Sequence, residues 1–142
     1  MLTGATLAGA DAQTLDHIMR IGEHMGLAFQ LWDDIKDILP NNDGKPHFTD
    51  IAEGQPTVMT QHIMQTGTPA QQELLQKHFG KEVMPNDIEI LRDLFTHSGA
   101  LAKAQEHIQE HVMHSTAYIE KLSCTPAYKA SLMGILDLFT SS

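Results

Sequence analysis

The stretch Gly26–Asp37, Gly-Leu-Ala-Phe-Gln-Leu-Trp-Asp-Asp-Ile-Lys-Asp, constrains the fold more than any other, because it sets three carboxylates within five residues beside a hydrophobic repeat. On a helix each residue turns by about 100°, so Gln30, Asp33, Asp34 and Asp37 fall within an arc of roughly 100°. Leu27, Leu31, Ile35 and Ile38 form an adjacent apolar arc, with Ala28 and Trp32 beyond it, which is the stripe that docks a helix on a core. Gly22 and Gly26 join the acidic face before the carboxylates and leave room above it, as in a groove.

The acidic face needs a compensating charge. Like charges one turn apart destabilise a helix by about 0.2–0.5 kcal/mol per pair, and aspartate is a poor helix former away from the first turn. A hard cation is the natural partner: Mg²⁺ takes carboxylate oxygens, keeps several waters and completes its shell with substrate phosphates. The plainer reading is a solvated acidic flank.

The chain has 142 residues, 42% of them hydrophobic, which predicts one soluble domain spanning residues 1–142 with a core large enough to fold. It contains no run of 18 apolar residues and no signal-peptide pattern at the amino end, so an integral membrane protein is not expected. Cys124 stands alone, which excludes an internal disulfide and a cysteine-based zinc site and suits a reducing cytoplasm. The formal charge of −9 argues against a nucleic-acid partner and would repel an anionic substrate unless divalent metal intervened.

Taken in order, Leu2–Ala8 reads as the end of a short helix stopped near Gly9. Asp11 is a candidate N-cap for the next helix, which carries Leu15, Ile18, Met19 and Met25, continues through the acidic stretch and ends at Pro40. Pro40–Gln55 is rich in turn formers and predicts a long irregular loop. Further helices are expected over Pro56–Gln65, from the Thr68-Pro69 cap to about Phe79, and over Asp87–His97. A long helix should run from Gly99 to about Leu122 on a stripe of Leu101, Ile108, Val112, Ile119 and Leu122, and a last one from Thr125-Pro126 to about Thr140. No stretch alternates as a strand would, so the fold class is all-α, a helical bundle.

Lys45 follows the flexible Gly44, with Asp50, Glu53 and Thr57 close behind, so a lysine lies within reach of any phosphate that the carboxylates' metal would bridge. An EF-hand does not fit: with Gly44 at the sixth loop position, the first is Leu39 and the twelfth Asp50. His107, His111 and His114 lie within about 60° on the long helix, a spacing that can chelate a transition metal, but their charged neighbours favour a solvated edge. The remaining histidines form no triad by sequence, and Ser98 and Ser123 lack a glycine-framed elbow.

The order Gly26-Leu27-Ala28-Phe29-Gln30, Asp33-Asp34, Asp37, Gly44-Lys45-Pro46, Asp50-Ile51, Glu53-Gly54 and Thr57 resembles the second aspartate-rich region of the trans-isoprenyl (polyprenyl) diphosphate synthases. Gly4-Ala5 through Leu7-Ala8-Gly9-Ala10 resembles the helix before that region, and Asp87-Ile88 and Ser98-Gly99-Ala100-Leu101 its later helices, so the likeness covers nearly the whole chain. The resemblance implies part of the isoprenoid synthase fold, in which two aspartate-rich helices face each other across a cavity. It also implies Mg²⁺-dependent condensation of an allylic diphosphate with isopentenyl diphosphate: ionisation of the allylic C–O bond gives a carbocation, which isopentenyl diphosphate attacks. By matching position, Asp33 would be the principal metal ligand and Asp34 and Asp37 would support it directly or through water. Lys45 would contact the allylic diphosphate, and Phe29 and Gln30 would line the reaction centre.

Two departures shape the expectation. Gln55 stands where the family commonly has a lysine or another polar residue, and Asp33 begins the only Asp-Asp-x-x-Asp of the chain. The first aspartate-rich helix and the basic residues for isopentenyl diphosphate would belong to an amino-terminal half preceding Met1, and the Lys-Thr pair usual upstream of Gly4 is missing as well. The chain is therefore expected to be a carboxy-terminal part, inactive alone, that bares apolar surface and self-associates as a homodimer or higher oligomer. The alternatives are a non-catalytic accessory subunit and a helical interaction module with a solvated acidic face.

Overall fold

The computed structural model describes residues 1–40 and 47–140, and every regular element among them is helical. In chain order these are α1 (Leu2–Leu7), α2 (Ala12–Ile38), α3 (Thr49–Glu53), α4 (Val58–Thr66), α5 (Pro69–His78), a 3₁₀ turn over Pro85–Asp87, α6 (Ile88–His97), α7 (Ala100–Lys121) and α8 (Pro126–Thr140). They form two compact units. One combines Met1–Gln30 with the segment from His107 onward, and the other comprises Leu31–Glu106.

Local capping chemistry explains the starts of α2, α4, α5 and α8. The Asp11 carboxylate accepts the Thr14 N–H at 2.7 Å, at the start of α2. Thr57 and Thr60 form a reciprocal capping box on α4, as do Thr68 and Gln71 on α5, where Pro69 fills the first turn. The hydroxyl of Thr57 caps its own helix, accepting the Thr60 N–H at 3.2 Å.

The first unit buries Ile21 and Ala28 of α2, Ile108, Ser115 and Ile119 of α7, and Leu132, Leu136 and Phe139 of α8. The second buries Leu31, Ile35 and Ile38 of α2 with Phe48, Ile51, Ile63, Leu91 and Phe95. Arg92 closes the carboxyl end of α2 here, its Nε donating to the Ile38 carbonyl at 3.1 Å.

Three expectations need correction. Pro40–Gln55 is not irregular throughout, since it contains α3; the groups that anchor the start of that helix come from Asp37, twelve residues upstream, out of sight of any local pattern. Leu27 is not on the buried stripe: it is 42% exposed, and the stripe runs Ile21, Ala28, Leu31, Ile35, Ile38. On α7 the buried edge falls on Ala100, Ala104, Ile108, Ser115 and Ile119, with buried Leu122 just past its end, while Leu101 and Val112 lie half-buried at its margin.

Two residues with left-handed backbone frame α3. Gly54 ends it at φ 69°, beside Gly80, whose N–H donates to the Ile51 carbonyl at 2.8 Å. At the other end Phe48 holds φ 58°, and no other described non-glycine residue has a positive φ. That conformation costs a non-glycine residue roughly 1–2 kcal/mol, and full burial of the ring offsets it.

Candidate functional site

The final turns of α2 and the start of α3 bring four acids into one field: Asp33, Asp34, Asp37 and Asp50. Asp33 is exposed and the other three are half-buried. Asp37 has become a brace. Its Oδ1 accepts the Thr49 N–H at 3.0 Å and the Thr49 hydroxyl at 2.8 Å, and its Oδ2 accepts the Asp50 N–H at 3.2 Å. The Phe48 N–H donates to the Asp37 carbonyl at 3.0 Å as well. A carboxylate offers about four acceptor positions, so Asp37 retains one toward a ligand.

The electrostatics show an uncompensated cluster. The Asp34 carboxyl is pushed up to about 6, first by burial and then by Asp50, Asp33 and Asp37. Asp50 is raised too, by burial and then by Asp37, Glu53 and Asp33. Among the described residues no lysine, arginine or histidine forms an ion pair with any of these four aspartates. Lys36, which lies among them in sequence, turns away: its ammonium sits 3.6 Å from the centre of the Trp32 ring. Among the described residues this charge is left uncompensated, and an all-carboxylate donor set is of the kind that suits a hard cation. As placed, no three acidic or imidazole side chains among the described residues converge tightly enough to hold an ion by themselves, so water and a bound anion would have to complete the shell.

Phe29 and Gln30 precede the acids on α2. Phe29 is 53% exposed and rests edge-on against Phe139, ring centres 6.3 Å apart; Gln30 is exposed. A Cβ at Gly22 or Gly26 would meet nothing within 4 Å, so that flank of α2 is open, as the sequence suggests. Lys45 lies outside the described residues. Asp50 is the site member that a motif centred on α2 alone leaves out. Its signal was its place just after Gly44-Lys45-Pro46.

The raised carboxyl of Asp34 has a testable sign. The folded chain takes up a proton between the ordinary value of 3.8 and about 6 that the unfolded chain does not. This contribution to stability is therefore complete below 3.8 and is lost as pH rises through about 6. Asp34→Asn is expected to raise the unfolding free energy at pH 7 in EDTA by about 1 kcal/mol, a value reduced for partial solvation, and to leave it unchanged at pH 3.5. Urea denaturation of both proteins at the two pH values measures it.

Comparison with known proteins gives the family and the fold. The family model described as polyprenyl synthetase matches residues 1–97, a span that includes α1–α6 and all four acids. The chain belongs to the polyprenyl synthetase family. It is 27% identical to octaprenyl diphosphate synthase of Escherichia coli over 134 residues, which is 93% of this chain and 41% of that protein. It is 30% identical to the short chain isoprenyl diphosphate synthase of Methanothermobacter thermautotrophicus over 135 residues, 92% of this chain and 40% of that one. The chain thus spans about two-fifths of the length of these relatives. Among solved structures, geranylgeranyl pyrophosphate synthase from Corynebacterium glutamicum, complexed with isoprenyl diphosphate and magnesium, superimposes with a TM-score of 0.88 at 26% identity, covering 96% of this chain and 40% of that one. Polyprenyl synthase from Caulobacter crescentus, complexed with calcium and isoprenyl diphosphate, gives 0.86 at 25% identity, covering 99% and 44%. The architecture is that of the helical isoprenoid synthases.

Proposed function

We propose that this chain supplies the second aspartate-rich face of a polyprenyl diphosphate synthase site, one that joins an allylic diphosphate to isopentenyl diphosphate with the help of Mg²⁺. The observation that carries the reading is the cluster of four aspartates that pairs with no cation among the described residues and has one carboxyl pushed up to about 6. Such an arrangement costs stability unless a charge arrives to relieve it. The donor set fits magnesium, with Asp33 as the foremost ligand, Asp34 beside it, and Asp37 contributing its one remaining acceptor position. Magnesium bound there would neutralise the diphosphate as negative charge develops on it in the course of C–O cleavage.

The chain's own residues do the rest. Asp37 holds the amino end of α3 against α2 and so fixes Asp50 toward the other acids. Lys36, held over Trp32, leaves the acids free for the ion. Phe29 and Gln30 would border the reacting carbons, and Lys45 would donate to the allylic diphosphate. Self-association belongs to the same reading, because Leu7 and Leu138 are 85% and 61% exposed. So does a cytoplasmic setting, in keeping with the free Cys124. No helix among the described residues is long and apolar enough to cross a membrane.

One acidic face binds but does not turn over. The 142-residue polypeptide, incubated with Mg²⁺, an allylic diphosphate and isopentenyl diphosphate, is expected to form no condensation product, while calorimetry shows Mg²⁺ and inorganic pyrophosphate each strengthening the binding of the other. Asp33→Ala should abolish that coupling. Absence of heat with either ligand would instead favour the solvated helical module, and product from the lone chain would refute the half-site.

A further inference from the structure

The face of α2 that packs in the first unit carries a polar residue where the repeat calls for an apolar one. Ile21 and Ala28 are fully buried, and His24 occupies the position between them, three residues after one and four before the other. On α7 the same alternation of three and four runs Ile108, His111, Ser115, Tyr118 and on to Leu122 just past its end, with Ile108, Ser115 and Leu122 buried. The two half-buried histidines meet across the seam, Nδ1 to Nδ1 at 3.1 Å. His114 stacks on His24 at 4.8 Å between ring centres, and Tyr118 lies over both His24 and His17, at 6.2 and 5.8 Å.

We infer that His24 and His111 form a proton-sensitive clasp between α2 and α7: it closes when the pair carries at most one positive charge and opens when both rings are protonated. The chemistry follows from the contact itself. At 3.1 Å one Nδ1 must donate a hydrogen while the other keeps its lone pair to accept it. A neutral pair satisfies this, and so does a pair holding one extra proton. A second extra proton leaves both Nδ1 atoms as donors facing each other, so the bond is lost and two cations share a half-buried seam.

The surroundings do little to absorb that charge. α2 contributes His17, and α7 contributes His107, His114, Tyr118 with the Lys121 ammonium 5.2 Å from its ring centre, and Glu110, the acid that acts on His111. Glu110 lies on the exposed side, where it already faces His107 at 3.5 Å and His114 at 4.0 Å. α8 packs Leu132, Leu136 and Phe139 into this unit. Burial, and next His24, hold His111 below the ordinary imidazole range, and Glu110 only partly opposes them. A base held low in the folded state contributes stability that is present above about 6.5 and lost as pH falls through its lowered value.

The test needs no variant to begin with. In the full chain, imidazole C–H signals followed by NMR from pH 8 to 4.5 should show His24 and His111 titrating as a coupled pair, the second proton bound more than about tenfold more weakly than the first. The amides flanking both residues should shift with that second step. Two independent titrations near pH 6.5 would overturn the clasp. Next, His24→Gln, which keeps a hydrogen-bonding side chain but takes no proton, should move the change in urea midpoint from pH 7 to pH 5 toward greater stability than the unmodified chain shows, whereas His107→Gln should leave that change as it is. The same change in His24→Gln as in the unmodified chain would also overturn it. Should His24→Gln fail to fold, the coupled titration of the unmodified chain decides alone.

Discussion

Replacing Phe48 with alanine is expected to lower the unfolding free energy by about 3–5 kcal/mol, the usual cost of emptying a fully buried aromatic site. Phe48 is fully buried and packs on the equally buried Phe95, ring centres 6.1 Å apart. Its backbone, at φ 58°, donates to the Asp37 carbonyl and introduces α3. Two effects oppose each other here, and a second variant separates them. Phe48→Ala loses the ring and keeps the left-handed strain, whereas Phe48→Gly loses the ring and relieves about 1–2 kcal/mol of strain. Phe48→Gly is therefore expected to be at least as stable as Phe48→Ala, contrary to the usual ranking of the two residues. Urea unfolding of the three proteins checks the order, and a glycine variant clearly weaker than the alanine one would remove backbone strain from the explanation.

The second large effect is at Asp37. Asp37→Ala leaves the Thr49 and Asp50 N–H groups without their acceptor and removes the Thr49 hydroxyl contact. Hydrogen bonds to a charged group contribute about 1.5–3 kcal/mol each, and the loss of one negative charge from the cluster offsets part of the damage. The net expectation is a loss of about 2–3 kcal/mol, with amide exchange at Thr49 and Asp50 accelerated before the rest of the second unit. Asp33→Ala, on an exposed side chain, should stay within about 0.5 kcal/mol of the unmodified chain. Three acids that look equivalent on a helical wheel thus divide into an exposed carboxylate, a partly buried neighbour and a brace.

That division marks how far the sequence could be read. Helix starts were legible wherever the cap is local: Asp11 with Thr14, Thr68 with Gln71, Thr125 with the N–H of Tyr128 at 3.4 Å. The acidic face of α2 was legible because its period is helical, and the family because the order of Phe-Gln, the aspartates, Gly-Lys and Glu-Gly survives intact. What escaped depends on groups far apart in the chain. α3 is anchored by a residue twelve positions away, and Thr57, read as part of the loop's polar set, belongs to its own helix. His24 and His111, 87 positions apart, meet across a seam that no local pattern describes, and of the three histidines assigned to a solvated edge, His107 and His111 are half-buried. Leu27 was misplaced for a subtler reason. The apolar residues of α2 outnumber the positions its core face can bury, and small Ala28 rather than Leu27 takes the place beneath the helix.

The central claim is that the acids of α2 and α3 hold a divalent ion against a diphosphate. Mn²⁺ can stand in for Mg²⁺ at oxygen-rich sites, and its unpaired electrons broaden nearby NMR signals. Sub-stoichiometric Mn²⁺, added to the chain in the presence of inorganic pyrophosphate, is the direct measurement. The account predicts that the amides of Asp33, Asp34, Asp37 and Asp50 broaden first, that excess Mg²⁺ restores them, and that Asp33→Ala protects them. Uniform weak broadening over all acidic surfaces, or none at these four residues, would contradict it.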